Sequence, residues 1–434
     1  MVLSAVATTS AACANATVSV SAGGDADGVT PTRIVIGGLA SLTGPIASSF
    51  APSFDGVRAY VDMVNAAGGV NGRRLVFSPQ LDDQSSPSAD AAKARALVDQ
   101  YHVFAVVGVA TPSFTGATYL ATHSVPTFGL NVNPNSQWGA GPTMYGNTGS
   151  YDDFTAPQLQ AAFLAVQHHA KAAAIVSYSL AQAQLGCQGV ISAFRKYGIP
   201  IVVDDLSVPA PATDLHADVS RLKAAGADFV ASCLDLSGNV LLSDTMAQEG
   251  VTGVTQYWFD GYDEAALGQF ATSMEGIYLL LRHAPFEVTQ LHPGQYPGMD
   301  RYEAMLRKYA PGTLPSEASL AGWQSADLFV TGLRALGRDV TRSRLVHYLN
   351  GLRAYTADGL EPPIDWTIAH KPIDGPLDCT AFVQAHAGRF VPVYGVAPSV
   401  FSCFPQPAPE RGPITTVTPL PAGVPPLAPA RPAS

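Results

Sequence analysis

The chain has 434 residues, a net charge of −10, 13% charged residues and 47% hydrophobic ones. That length exceeds what one core ordinarily supports, so two lobes are expected. The acidic balance, with no Lys/Arg cluster, argues against nucleic acid as a partner, and no apolar run is long enough to span a bilayer.

Residues 1–31 read as a leader and tether, rich in Ala, Ser, Thr and Val with no basic residue before Arg33. Secretory signals open on positive charge, so this is an incomplete signal as written. Cys13 follows Ser10-Ala11-Ala12 and precedes a small polar stretch. That context resembles the lipoprotein processing box, which makes Cys13 a candidate for lipidation. The alternative is a free cysteine in a disordered leader.

From Arg33 onward, Val-rich strands alternate with amphipathic helices. A first strand leads into Leu42-Thr43-Gly44-Pro45, and a helix ends in Asn65-Ala66-Ala67-Gly68-Gly69-Val70-Asn71-Gly72-Arg73. A second strand runs to Leu81-Asp82-Asp83, a second helix follows, and the apolar run 103–107 closes on Gly108. This alternation predicts a parallel sheet covered on both faces. Asp82 and Asp83 read as a strand end, not a metal or acid pair, with Ser86 and Ser88 capping the next helix. A helix near 113–123, a strand at 126–129, an Asn-rich loop 131–137 and a short strand at 144–145 complete the run.

The pattern then restarts. Helix 153–169 leads to strand 172–177, helix 184–197 to 200–204, helix 214–225 to 227–232, and helix 239–249 to 255–259. Two successive strand-and-helix runs predict two doubly wound lobes. Gly186, Gly198, Gly226 and Gly250 are expected at helix starts or just past helix ends, where positive φ is wanted. His168-His169 reads as a solvated helix face. A strand at 276–281, helices near 299–309, 317–337 and 341–350, and a weakly patterned 355–404 follow. From Pro405 onward Pro, Ala and Thr dominate without period, so residues 405–434 are expected to be disordered.

Setting Cys13 aside leaves Cys187, Cys233, Cys379 and Cys403, an even set that permits three pairings. Cys187 opens a helix and Cys233 ends a strand at the same sheet edge, while Cys379 and Cys403 bracket the strand 389–394. The local solution pairs 187 with 233 and 379 with 403. The alternative is four buried thiols in a reducing compartment.

Enzyme signatures are missing: the chain has no G-x-S-x-G, no phosphate loop, no G-x-G-x-x-G after a strand and no H-E-x-x-H. No catalytic residue, metal or cofactor is therefore expected. Polar loops do gather where open α/β sheets bind ligands, at the carboxyl ends of strands. In the first run these are Ser48-Ser49-Phe50, Thr111-Pro112-Ser113 and Asn131-Val132-Asn133; in the second, Tyr178-Ser179, Leu234-Asp235 and Asp260-Gly261-Tyr262.

Leu42-Thr43-Gly44-Pro45, the 65–73 turn, Leu81-Asp82-Asp83, and Val106-Val107-Gly108 followed by Ser113 stand in family-like order and spacing. Together they resemble the start of the type I extracellular solute-binding proteins of ABC transporters, the branched-chain amino acid-binding group in particular. The resemblance implies two doubly wound, Rossmann-like α/β lobes joined by three crossovers, near 148–152, 273–283 and 353–366. One lobe would comprise 32–150 with 276–355, the other 151–275 with 356–404. It implies a monomeric extracytoplasmic protein, lipid-anchored or secreted, that captures a small polar ligand for an ABC permease.

The ligand residues it suggests are Ser49, Phe50, Ser113, Asn131, Asn133, Tyr178, Asp235 and Asp260. Amino acid binders of the family hold the carboxylate at the positions of Ser113 and Asn131 to Asn133, and the ammonium at that of Asp260. Leu185, Ser49 and Gly146 stand where those binders often carry an aromatic, a second aromatic and an arginine. The competing role for Asp260 is to cap helix 264–270. The competing functions are a sensor module for a separate signalling partner, or a hydrolase on the same fold.

Overall fold

The computed structural model describes residues 24–44, 46–133, 135–150, 156–370, 377–395 and 399–405. The first sheet is wholly parallel and contains β1 (Arg33–Ala40), β2 (Arg74–Asp82), β3 (Ala105–Val109), β4 (Thr127–Gly129) and β5 (Met144–Gly146), in the order β2-β1-β3-β4-β5. Helices α1 (Ser53–Ala66), α2 (Pro87–Asp99), α3 (Ala117–Thr122) and α4 (Asn135–Trp138) connect these strands. Every residue of β3 is buried, as expected of a central strand with helices on both faces.

A second winding runs through α5 (Leu159–Gln167), β6 (Ala173–Tyr178), α6 (Ala181–Lys196), β7 (Ile201–Val208), α7 (His216–Ala224), β8 (Phe229–Cys233), α8 (Leu236–Gln248) and β9 (Thr255–Trp258). Two short helices, α9 (Glu264–Gln269) and α10 (Ala271–Met274), precede β10 (Tyr278–Leu281). The chain then returns to the first lobe as α11 (Val288–Leu291), α12 (Pro297–Tyr309), α13 (Glu317–Leu336) and α14 (Arg342–Leu349), before β11 (Leu377–His386), β12 (Arg389–Val393) and β13 (Phe401–Pro405) finish the second sheet. That sheet has the order β12-β11-β10-β9-β8-β6-β7, with β13 paired to β11.

Two expected lobe boundaries move. Tyr278–Leu281 pairs in parallel with β9 and antiparallel with β11, so this strand belongs to the second sheet and the crossing follows it. Residues 355–370 pack on the first lobe: Trp366 lies 5.1 Å from the Tyr145 ring and His370 5.3 Å from it. The third crossing therefore comes after residue 370. Residues 24–30, assigned to the tether, are built into the first lobe, where Ser343 donates to Asp25 from its amide at 2.8 Å and its hydroxyl at 2.6 Å. Cys13 and residues 406–434 lie outside the described residues.

Smaller expectations are also revised. Gly186 sits inside α6, with Phe259 against the space where a Cβ would be, whereas Gly198, Gly226 and Gly250 follow α6, α7 and α8 with positive φ. Ser86 occupies the N-cap position of α2, but its hydroxyl meets Ser88 at 3.2 Å and does not cap the backbone. His168 is half-buried on the Tyr278 ring, 4.7 Å between centroids, and does not lie on a solvated face.

The helical segment that follows β10 completes the core of the lobe that began first. Trp323 of α13 meets Tyr60 at 4.7 Å, and Phe329 meets Phe128 at 5.7 Å. Helices α1 and α13 touch through backbone: a Cβ on Gly56 would fall 1.8 Å from the Ser319 carbonyl oxygen, and one on Gly322 would fall 2.0 Å from that of Ser53. In the second lobe Cys187 and Cys233 form a disulfide between α6 and β8, and Cys379 and Cys403, register partners on β11 and β13, form another.

Candidate functional site

On the first lobe the two aspartates ending β2 fasten neighbouring loops. Asp82 Oδ1 accepts the amides of Leu42, Thr43 and Gln84 at 2.9, 3.2 and 2.8 Å, and Asp82 Oδ2 accepts the Thr43 hydroxyl at 2.6 Å. Burial opposes its charge, but these donors outweigh burial and hold its pKa below the usual range. Ser49 is exposed in the turn Ala47–Ser49, whereas Phe50 is buried in a cluster with Ala40, Ala110, Leu130 and Ala321 at the carboxyl ends of β1, β3 and β4.

Ser113 is half-buried, with its amide on the Thr111 hydroxyl at 3.3 Å. Both ends of the Asn133 amide are engaged: Nδ2 donates to the Thr111 carbonyl at 3.0 Å, and Oδ1 accepts the Trp138 indole N–H at 3.2 Å. Asn131 is different. Its backbone N–H donates to Asn147 at 2.9 Å and its Nδ2 to the Gly149 carbonyl at 2.7 Å, which leaves Oδ1 without a partner among the described residues. Asn147 in turn donates to Gln324 Oε1 at 3.4 Å, and Gln324, only 2% exposed, keeps an Nε2 with no partner among the described residues. Asn147 and Gln324 carried no signal in the sequence, because one precedes a crossing and the other lies in a long helix far along the chain.

On the second lobe Tyr178 donates its hydroxyl to Asp235 Oδ1 at 2.7 Å, and the same oxygen caps α8 by accepting the Gly238 amide at 2.8 Å. Burial first, and the bond to Asp235 second, push the Tyr178 pKa up to about 12. Asp260 is exposed after β9, and the nearby backbone amides of Leu236 and Gly261 favour its charged form. The cap of α9 is Asp263, whose Oδ1 accepts the Ala266 amide at 2.8 Å, so the capping role that competed for Asp260 falls to its neighbour.

Glu317, the first residue of α13, lies near enough for its charge to act on Asp260. Each carboxylate is open to solvent yet has protein on most sides, as on the wall of a cleft. Surrounding protein is the main cause of the raised pKa of Asp260, and the charge of Glu317 adds to it. Surrounding protein likewise raises Glu317, opposed by Arg282 on the second crossing. An aromatic ladder joins the segment after Asp260 to the start of α13. Tyr262 stacks on Phe286 at 5.5 Å, Phe286 faces Tyr302 at 6.3 Å, and the Tyr302 hydroxyl bonds Ser319 Oγ at 2.6 Å in the capping box of α13.

The second crossing is itself tightly held. Tyr262 donates to Glu287 Oε2 at 2.7 Å and accepts the Phe286 amide at 2.8 Å. Burial pushes Glu287 up to about 7 and pulls His283 down to about 4, so the histidine is neutral near pH 7. Among the described residues no group of three or more His, Cys, Asp or Glu is placed to hold a metal ion, and no helix is long and apolar enough to cross a membrane.

Comparison with known proteins places this architecture. No curated protein matches the sequence. The structure is similar to an ABC transporter substrate-binding protein from Sphaerobacter thermophilus, at 16% identity and a TM-score of 0.68, covering 86% of this chain and 98% of that one. It is similar to a solute-binding protein of an R. palustris ABC transporter in complex with 4-hydroxybenzoate, at 20% identity and a TM-score of 0.66, covering 83% and 95%. It is also similar to the branched-chain amino acid transporter substrate-binding protein of Streptococcus pneumoniae in complex with isoleucine, at 18% identity and a TM-score of 0.64, covering 83% and 98%. At these identities the likeness speaks for the fold. The periplasmic binding protein family matches residues 33–389, from the first residue of β1 to the first of β12, and the chain belongs to that family.

Proposed function

We propose that the chain captures a small polar ligand between its lobes and presents it to the permease of an ABC transporter, without chemical turnover. One observation carries this reading: polar loops lie at the carboxyl ends of both sheets, and Tyr262, Phe286, Tyr302 and Ser319 join the loop after β9 to the start of α13 beside the second crossing. Crossings of this kind let lobes close on a ligand by hinge motion. Ser49, Ser113, Asn131, Tyr178, Asp235 and Asp260 are the ligand-facing candidates. Phe50 and Asn133 support the loops from behind, since their contacts are to protein.

An amino acid or a related compound is the proposed ligand class, because a carboxylate at Asp260 suits an ammonium group. The family points to an extracytoplasmic protein, and the small residues before Cys13 support a lipid anchor there, with secretion as the alternative. We propose a monomer.

A thermal-shift screen of amino acids, amides, polyamines and aromatic acids, followed by small-angle X-ray scattering on the hits, tests the reading. A compound that raises the melting temperature and compacts the protein is expected, and Asp260→Ala should abolish both responses. Hits that bind without compaction would overturn capture between the lobes.

A further inference from the structure

Glu287 stands where the second crossing enters the first lobe, at the N-cap position of α11. The partner of its side chain comes from the other lobe. Tyr262, in the loop after β9, donates to Glu287 Oε2 at 2.7 Å and accepts the Phe286 amide at 2.8 Å. Its ring is held on the second lobe by Phe390 of β12, 4.8 Å between centroids. We propose that this bond is a proton-controlled latch between the lobes, closed while Glu287 is a neutral acid and released when it ionises. The inference rests on the capture function proposed above and adds a regulation to it.

The surroundings of Glu287 suit the neutral acid. The residue is only 6% exposed, and its Oε1 has no partner among the described residues. A buried carboxylate without donors on both oxygens is costly, and the cost falls when the group is neutral. Neighbouring acids add to the cost of charge: Glu264, which opens α9 on the second lobe, and Glu303 of α12 on the first. Glu303 accepts the Thr289 hydroxyl at 3.2 Å and has its own charge eased by Arg307. Arg282, earlier on the crossing, acts on Glu317. His283, 5.7 Å from the Tyr262 ring, is buried with Nδ1 on the Ala284 carbonyl at 2.9 Å, and burial pulls its pKa down to about 4, so it brings no positive charge near pH 7.

Burial pushes the Glu287 pKa up to about 7, with the charges of Glu264 and Glu303 adding to the rise and the Tyr262 hydroxyl opposing it. An ordinary glutamate titrates near about 4.3, so the latched arrangement favours the proton. Its advantage is complete below about pH 4 and is lost as pH rises through about 7. Above that, the charge gains hydration when the loop carrying Tyr262 moves off the crossing, and the crossing is where the lobes turn.

The test needs no ligand. Small-angle X-ray scattering of the whole chain, with hydrogen exchange of residues 282–288 corrected for intrinsic amide rates, is followed between pH 5.5 and pH 8.5. Radius of gyration and exchange should both rise, with a midpoint near pH 7. Glu287→Gln keeps an acceptor for Tyr262 and should hold the low-pH values throughout. Tyr262→Phe has no hydroxyl to donate and should show the released values even at low pH. Asp90→Asn removes the other carboxyl pushed up to about 7 and should leave the transition in place. A transition that survives Glu287→Gln or vanishes in Asp90→Asn, a Tyr262→Phe chain that keeps the low-pH values, or no transition in the wild-type chain would overturn the latch. In those cases compaction by a hit from the thermal-shift screen would leave capture standing. A Glu287-dependent transition in a chain that no hit compacts would keep the latch and overturn capture.

Discussion

Asp235 Oδ1 accepts two hydrogen bonds at once, from the Tyr178 hydroxyl at 2.7 Å and from the Gly238 amide at 2.8 Å. One carboxylate oxygen thus joins the end of β6 to the first turn of α8. Asp235→Ala should remove the cap and leave the tyrosine hydroxyl unpaired, at a cost of about 1–2 kcal/mol. Asp235→Asn keeps the acceptor and should cost much less. Denaturant melts of the two variants check this; equal losses would mean that the charge, not the acceptor, holds α8.

The carboxylate of Asp90 is fully buried in α2, and its pKa is pushed up to about 7, first by burial and then by the charge of Asp83. The Gly116 amide at 2.7 Å and the Thr115 hydroxyl at 3.2 Å oppose that rise. An unfolded aspartate titrates near 3.9, so the folded state favours the proton. The stability carried by the neutral form is intact below about pH 4 and is lost as pH rises through 7. Asp90→Asn retains the acceptor for Gly116. It should therefore stabilise the protein by about 1–3 kcal/mol at pH 8 and have little effect at pH 4. Melting curves at both pH values decide it, and a pH-independent effect would refute the linkage.

The disulfides close loops of 46 and 24 residues. By loop entropy alone they should stabilise by about 4 and 3 kcal/mol. Calorimetry with Cys187→Ser/Cys233→Ser and Cys379→Ser/Cys403→Ser should show the larger loss for the first pair. Both losses should fall on the second lobe, and the first-lobe transition should keep its temperature.

Where α1 crosses α13 there is no room for a side chain on either glycine. Gly322→Ala would place a methyl 2.0 Å from the Ser53 carbonyl oxygen, forcing the helices apart at a cost of about 3 kcal/mol. Gly268→Ala is the control. Gly268 lies in α9 with nothing within 4 Å of a new Cβ, so alanine should stabilise by roughly 0.5 kcal/mol through the unfolded chain. Chemical denaturation of both variants tests the contrast.

The strands of both sheets were legible because buried parallel strands read as Val-rich runs, and for the same reason so was the position of Asp260 just after one of them. The lobe to which Tyr278–Leu281 belongs was not, since an apolar strand carries no mark of the sheet it will join. Residues 355–370 were misplaced for a related reason: they are held by isolated large side chains, Trp366 and His370 on Tyr145, and not by any periodic face. Phe50 and Asn133 looked like ligand contacts because loop aromatics and amides suit both jobs. In the fold both are buried, Phe50 among apolar side chains and Asn133 on Thr111 and Trp138, partners the sequence does not disclose. Gln324 gave no local sign, because only tertiary folding brings α13 to Asn147 at the end of the first sheet.

The return of α13 to the first lobe also sets an order of assembly. Strands β6 to β10 occupy one continuous stretch of chain and can pair as soon as they leave the ribosome. The first sheet is synthesised earlier, yet Tyr60 and Phe128 wait for Trp323 and Phe329 before their face is covered. The core of the lobe translated first is thus closed only after β6 to β10 of the other lobe have been made. In the interval its bare apolar sheet face is the surface on which a holding chaperone would act.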